Sequence, residues 1–509
     1  MYLPAENIQR ALLTANSAIK VPLSLTAPID AIQAPDNYVG FGFETAFIND
    51  YANTFTLNLL NSIGKRLGSV PTIRIGGTSG DRVTFDDSQQ EIKVCIEGDC
   101  PIGSAASYIL GPRYFDGFEY FEDFGITFQA PLGADLNVSN TEIYVSRAYE
   151  QVNHLVAIAI GNEPDLYSTQ YDVDYTLGQY VNDSQTIIAA VSEILEFDEG
   201  GRVFEVLDFA SNKPSFDLID VFGDNSYNST NAKLAAWHWY QLSANYSSSE
   251  ELQTYLMNHT AIITRFEPLK SQITYLKEND PTIPFVLSET GSATQSSIEI
   301  QSGFGAALWC IDFQLYSLTQ GVSRVDATHR PAALHSYWVP DDSAGAINPG
   351  PQVRAVWYAL PFVADFLGQS PGKVVEIDLE SDTLAAYAIY NSSTNNVSRL
   401  AIINLRTWVN GDDYGSSSRG SETISVPIAS NVSSVTVRRL QSAAGAFAMG
   451  FDYAGPSENV TWAGEQWSYS IDQGKGHRVD GVSEKETYSV SGGVVEIEIQ
   501  DSEALSIEF

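Results

Sequence analysis

The chain of 509 residues has only 27 lysines and arginines, against 63 aspartates and glutamates, a formal charge of −36. A surface so short of positive charge repels nucleic acid, anionic membranes and other polyanions. Only three of its residues are cysteine, too few for a disulfide framework or a cysteine-rich metal site. Cys95 and Cys100, in VCIEGDC, can close a small surface loop, while Cys310 lies in the apolar run GAALWCIDF and reads as a buried thiol. The six histidines are scattered and lack HxxxH or HExxH spacing, so no metal constellation is expected. GxxxxGK and GxSxG are also missing, which argues against nucleotide-phosphate chemistry and an α/β-hydrolase elbow. No cofactor is expected. No apolar run approaches the roughly 20 residues that span a bilayer. The N-terminus lacks a basic stretch followed by an apolar core, and the simplest account is a mature chain with an added Met1.

What is present is a hydrophobic content of 44% with 18% charged residues, the balance of a folded globular chain. Nine Asn-x-Ser/Thr sequons occur, at Asn137, Asn182, Asn228, Asn245, Asn258, Asn391, Asn396, Asn431 and Asn459. So many in one chain fit a secreted, extracellular glycoprotein.

Between residues 37 and 368, short β-rich runs alternate with stretches of helical spacing. The runs are Val39–Glu44, Thr72–Gly77, Ile126–Leu132, Leu155–Glu163, Val203–Phe209, Leu234–Gln241, Phe285–Thr290 and Val322–Thr328. Several, such as LVAIAI, are continuously apolar, as strands buried on both faces must be. TFTLNLLNSIGKRLG, YFDGFEYFEDFG, SQTIIAAVSEILEF, FGAALWCIDFQLYSLTQG and VRAVWYALPFVADFLG supply helices between them. Eight alternations predict an α/β fold, a (β/α)8 TIM barrel, in preference to a doubly wound open sheet. Residues 369–509 change texture to short alternating strands separated by Ser, Asn, Gly and Asp, which predicts a C-terminal antiparallel β-sandwich domain. Residues 1–36 contain KVPLSLTAP, which is expected to add a strand to that sandwich.

Loops after the C-terminal ends of barrel strands carry the chemistry of this fold. The fourth strand ends in AIGNEPD, with Asn162 and Glu163 at the rim, and the seventh in VLSETG, with Glu289. These ends face one another across a barrel mouth. Retaining glycosidases need two carboxyl groups about 5–5.5 Å apart, one an acid/base and the other a nucleophile. Glu163 and Glu289 are therefore the candidate catalytic pair. Trp237, Trp239 and Tyr240 of WHWY read either as core aromatics or as cavity walls. Arg74 reads as support for Glu289 or as an ion pair inside the barrel. GGTSG at Gly76–Gly80 reads as a tight rim turn.

The chain resembles clan A glycoside hydrolases, and more narrowly glycoside hydrolase family 79, in FGFE, TIRIGG, IGNEPD, LSETGS and the C-terminal β-domain. That resemblance implies Glu163 as acid/base and Glu289 as nucleophile of a β-glucuronidase-like enzyme. It further implies Asn162 as a partner of the sugar 2-hydroxyl, Tyr240 as a donor to Glu289 and Glu44 as a sugar-hydroxyl acceptor. The segment RPAALHSYWVP follows strand eight, where the family is expected to bind the sugar carboxylate. It lacks the Gly-Tyr of close relatives but offers His335 and Tyr337, His335 with a positive charge at acidic pH. His329, ending strand eight, reads as a site residue or a core histidine. No Lys/Arg cluster stands near the predicted loops, which argues against an endo-enzyme on sulfated polyanions. The expected partner is a glycan bearing terminal β-glucuronic acid or its 4-O-methyl form. The rival readings are a clan A enzyme on a neutral sugar (a β-glucosidase, β-xylosidase or arabinofuranosidase), a barrel that only binds carbohydrate, and an adhesion glycoprotein.

Overall fold

In the computed structural model, eight strands pair in parallel and close on themselves in sequence order. The residues described are 18–96, 100, 106–195, 201–210, 215–223, 227–345, 348–411, 418–454 and 460–509. The barrel strands are β1 (Val39–Glu44), β2 (Thr72–Gly76), β3 (Gly125–Ala130), β4 (Leu155–Ile160), β5 (Phe204–Phe209), β6 (Ala232–Leu242), β7 (Phe285–Ala293) and β8 (Val322–His329). Every residue of β1, β5 and β7 is buried, which is why these stretches do not alternate between apolar and exposed polar residues.

The outer layer is made of α1 (Thr54–Leu67), α2 (Val138–Gln151), α3 (Leu177–Ile194), α4 (Leu218–Gly223), α5 (His259–Asn279), α6 (Phe304–Thr319) and α7 (Ala359–Leu367). Their ends follow capping chemistry. Asn53 Oδ1 accepts the Thr56 amide at the start of α1, and Gly68 closes it in the left-handed conformation. Thr176 and Gln179 form a reciprocal capping box on α3. The second helix expected from YFDGFEYFEDFG is instead a 3-10 segment, Pro112–Phe121. Pro112 removes a backbone donor and Gly117 weakens an α-helix, while Tyr114, Phe115, Phe118 and Phe121 still reach the core. Before it, the excursion after β2 forms a small sheet (Val83–Phe85, Lys93–Cys95 and Tyr108–Leu110). Cys95 and Cys100 are joined there by a disulfide, and Cys310 is a buried free thiol in α6.

The C-terminal region contributes β9 (Lys373–Glu376), β10 (Leu384–Tyr390), β11 (Val397–Asn404), β12 (Ser421–Pro427), β13 (Ser434–Gln441), β14 (Val494–Gln500) and β15 (Glu503–Glu508). One sheet runs β9, β10, β11, β15, β13 with short strands at its edges, and β12 pairs with β14 in the other. The N-terminal segment joins both. Ile32–Gln33 extends the first sheet beside β9, and Ile19–Lys20 pairs with β12. β10 shows how the two domains share one sheet. Ala385, Tyr387 and Ile389 pack toward the barrel, while Leu384, Ala386, Ala388 and Tyr390 enter the sandwich core. α6 is trapped between them. Phe304 to Leu318 are all buried, so this helix is apolar around its whole circumference. Among the described residues no helix is long and apolar enough to cross a membrane.

Candidate active site

A cavity of about 550 Å³ opens at the C-terminal ends of the barrel strands, a volume suited to a sugar unit. Glu163 and Glu289 both line it, and an oxygen of each carboxyl lies within 4.8 Å of the other. This separation fits the retaining geometry and leaves no room for the intervening water of an inverting one.

Backbone irregularities aim these side chains. Glu163 takes a left-handed conformation (φ 54, ψ 49) between the end of β4 and the 3-10 turn Pro164–Leu166. Its amide donates to Asp208 O, which pins the strained turn to β5. In β5, Leu207 and Asp208 both have positive φ (84 and 46), and the pairing with β6 shifts register there. The bulge turns Asp208 into the barrel. A second shift lies between Trp237 and His238, so that His238 on β6 stands directly opposite Glu289 on β7.

His238 is the residue that the sequence reading missed. Its Nδ1 lies 2.9 Å from Glu289 and 3.1 Å from Glu163, and its Nε2 lies 3.3 Å from Asp208. Burial opposes a charge on the ring, but Glu289, Asp208 and Glu163 together hold it protonated, well above its ordinary value. The same contacts separate the two carboxyls. Burial would raise Glu289, yet the charge and hydrogen bond of His238, with the charge of Arg74, bring it down to about 2. Burial pushes Glu163 above its ordinary value, and the negative charges of Glu289 and Asp165 add to that push against the pull of His238. Opposed shifts on neighbouring carboxyls assign Glu289 to the ionised role and Glu163 to the protonated one. Glu163, His238 and Glu289 also converge as cation ligands would, but the imidazolium already supplies positive charge at that point.

Asp208 anchors the network from below. Its Oδ1 accepts from Arg74 (3.2 Å), Ser288 Oγ (2.9 Å) and His238. Arg74 does both jobs considered for it. It pairs with Asp208 and Glu205 inside the barrel, and its charge helps to keep Glu289 ionised. Arg74 also donates to Asn162 Oδ1 at 3.0 Å, which fixes the amide orientation and leaves Nδ2 without a partner among the described residues. That unspent donor suits a sugar hydroxyl. The Asn162 amide is held by Asp81, which also accepts from Leu132 N, Gln129 and Tyr167.

Glu44 lines the cavity and accepts the Ser79 amide at 2.6 Å. The glycine-rich segment after β2 is thus a rim turn with a task, since it presents Ser79 N to Glu44. Tyr240 also lines the cavity, and its ring meets that of His335 edge-on at 5.2 Å. The partner within reach of Glu289 is His238, however, and among the described contacts Tyr240 makes no hydrogen bond to the carboxylate. Trp237 and Trp239 border the cavity with edges of rings that pack into the core against Phe209, Phe266 and Phe313.

The segment after β8 departs from expectation in two places. Tyr337 does not line the cavity, because its hydroxyl lies in the core 3.2 Å from the Cys310 sulfur. His335 does line it, but burial and neighbouring Arg330 push its pKa down to about 4, so it is neutral over most of the acidic range. His329 is a core histidine, wedged among Phe43, Tyr51 and Trp338 and held down to about 3 by burial. Two arginines, Arg265 and Arg330, border the cavity.

Comparison with known proteins agrees with this geometry. Residues 386–505 match the glycosyl hydrolase family 79 C-terminal beta domain. A β-glucuronidase of Aspergillus niger is 27% identical over 96% of this chain and 94% of its own length. The chain is a glycoside hydrolase whose C-terminal β-domain is of the family 79 type. A second relative, a β-glucuronidase of Neurospora crassa, is 27% identical over 78% of this chain and 76% of its own. Among solved structures, a 4-O-α-L-rhamnosyl-β-D-glucuronidase of Fusarium oxysporum superposes with a TM-score of 0.79 at 22% identity, covering 96% of this chain and all of that one. The barrel-plus-sandwich fold extends further, to a family 51 arabinofuranosidase of Xanthomonas axonopodis (TM-score 0.61, 12% identity, 94% of this chain and 97% of that one).

Proposed function

We propose that the protein is an exo-acting, retaining β-glucuronidase that releases terminal β-D-glucuronic acid, or its 4-O-methyl form, from glycans. The observation that carries the mechanism is the pair Glu163 and Glu289, within 4.8 Å and with opposed proton affinities. Glu289 attacks the anomeric carbon as the glycosidic C–O bond breaks, and Glu163 gives its proton to the departing oxygen. A glycosyl ester on Glu289 results. Glu163, now a carboxylate, takes a proton from water, whose oxygen attacks the anomeric carbon and frees Glu289. The negative charge thus moves from Glu289 to Glu163 and back. The His238 Nδ1–H lies beside both, so its stabilisation follows the charge without any rearrangement.

The sugar is assigned from the β-glucuronidase relatives, which match 96% and 78% of the chain, and from the arginines at the cavity. The test is hydrolysis of nitrophenyl β-glucuronide at acidic pH beside neutral nitrophenyl glycosides, with wild type and Glu289→Ala. Cleavage of the glucuronide with first release of the β-anomer, lost in the variant, is expected. Cleavage of a neutral glycoside alone would keep the mechanism and discard the sugar; first release of the α-anomer would discard the mechanism.

A secreted, glycosylated protein is the setting we infer. Seven of the sequon asparagines (Asn137, Asn182, Asn228, Asn245, Asn391, Asn396 and Asn431) are exposed, Asn258 is half-buried, and Asn459 lies outside the described residues. Asn137 and Asn258 cap helices through Oδ1, which leaves Nδ2 available for a glycan. A mass shift on treatment with a peptide N-glycosidase tests this, and an unmodified chain from its native source would overturn it.

A further inference from the structure

We propose that Arg330, at the end of β8, is the residue that selects a carboxylate-bearing sugar at this site. The inference rests on the glucuronidase reading and names the residue that would enforce it. Ionised Glu289 and, beside it, Glu44 line the cavity, so an anionic sugar entering it meets repulsion that a cation close to the sugar's own carboxylate must offset. Two arginines border the same space, and their situations differ.

Arg265 is already committed. Its Nε and one terminal nitrogen both donate to Tyr240 O, at 3.2 and 2.7 Å, and its guanidinium lies 5.2 Å over the Trp239 ring. Arg330 is not. Among the described residues it forms no ion pair with a carboxylate, and its buried Nε has no hydrogen-bond partner. An arginine bordering a cavity with three carboxyls, yet paired with none, is placed for an anion that arrives from outside.

The backbone beneath it is fixed. The Arg330 amide donates to Ser336 Oγ at 3.2 Å, Ser336 Oγ donates back to Arg330 O at 2.9 Å, and the Ala333 amide donates to the same carbonyl at 3.1 Å. The loop is clamped at its base while the guanidinium fork is left unspent. The guanidinium is a planar bidentate donor, the geometry that matches a carboxylate. Neighbouring His335 is depressed by burial and by this same charge and stays neutral, so the positive charge on this side of the cavity rests on Arg330 rather than on the histidine.

The competing role is a balance for Glu44 alone, whose acidity Arg330 strengthens from a distance. The two roles separate on substrate choice, because balancing Glu44 serves charged and neutral sugars alike. The experiment is kcat/KM for nitrophenyl β-glucuronide and nitrophenyl β-glucoside with wild type, Arg330→Met and Arg330→Lys. Competitive inhibition by free D-glucuronate and D-glucose is measured alongside. Arg330→Met is expected to lower the glucuronide-to-glucoside ratio roughly 10- to 100-fold, the worth of a charge-assisted hydrogen bond. Inhibition by glucuronate should weaken relative to glucose, and Arg330→Lys, with charge but no fork, should fall between. A ratio that survives Arg330→Met in an enzyme that does cleave the glucuronide would overturn this assignment and leave the glucuronidase reading standing. A wild type that ignores the glucuronide would overturn both. Arg330→Lys keeps the test decisive should the methionine variant fail to fold.

Discussion

His238 stands opposite Glu289 across two parallel strands, with Nδ1 2.9 Å from the carboxylate. This contact, more than any other, keeps a deeply buried carboxyl ionised. Replacing His238 by Gln retains a donor but removes the charge. The first prediction is a loss in kcat/KM of about 10²–10³, the usual cost of one pre-organised donor at a developing charge. A second consequence is specific to charge. Glu289 must be ionised to attack, and activity fails as pH falls through its pKa, about 2 in the native site. Without the imidazolium, burial dominates and that limb moves up, toward or beyond the ordinary 4.5. A pH–rate profile of His238→Gln with an unmoved acid limb would show that the histidine acts by packing alone.

Glu163 plays two parts, and a substitution separates them. Glu163→Gln cannot donate a proton, so substrates with poor leaving groups should lose about 10²–10⁴ in rate. A nitrophenyl glycoside, whose leaving group departs without help, should still form the glycosyl ester. Turnover then stalls for want of a base. Added azide, which needs no deprotonation, should restore it and yield the β-glycosyl azide. The basic limb of the profile should also flatten, since it reports the raised pKa of Glu163. No azide rescue, or rescue that gives the α-product, would contradict the assignment of Glu163.

Glu44 depends on a glycine for its place. Gly77 has φ 98, and a Cβ there would fall inside contact distance of both Glu44 carboxylate oxygens. Gly77→Ala is expected to displace Glu44 and break its bond to the Ser79 amide. Activity should fall at least about tenfold, the scale of one charged hydrogen bond. Stability should drop by only about 1–3 kcal/mol, because the strain is local and at the rim. Kinetics beside a thermal melt checks both halves. A variant that melts like wild type and keeps full activity would show that Glu44 is not held by this turn.

The barrel was legible because each of its strands is a short apolar run between polar segments, and burial on both faces demands that texture. Glu163 and Glu289 were legible because each is a carboxylate closing such a run at a rim. Asp208 and His238 sit within apolar stretches too, as FEVLDF and AAWHWY, but nothing local marks either as functional. What places them is a pair of register shifts, at Leu207 and at Trp237, and register belongs to the pairing of strands, not to one strand's composition. Tyr337 shows the converse. It lies in the expected loop, but its hydroxyl sits against Cys310 in the core. Two residues from it, His335 reaches the cavity.

The last prediction concerns the seam between the two domains. His259 opens α5 with its Nδ1 3.0 Å from Asp312 in α6 and its Nε2 2.9 Å from Glu376 on β9. Tyr387 on β10 donates to the same Asp312 carboxylate at 2.5 Å. Burial works against a charge on His259, but Asp312 and Glu376 raise its pKa to about 10. In the unfolded chain it is about 6.5. A histidine whose folded pKa is raised contributes stability that is fully present below the unfolded value and is lost as pH rises through the folded one. The clamp is therefore whole below about pH 6.5, weakens steadily above it and is gone beyond about pH 10. His259→Asn leaves Asp312 buried with no opposite charge, a defect that costs about 3–5 kcal/mol when a buried pair loses one partner. Denaturation midpoints of both proteins from acidic to alkaline pH test this. The gap should be widest at acidic pH and close as the solution approaches pH 10. A gap of constant size would mean that His259 joins the domains by shape and neutral hydrogen bonds, with no part played by its charge.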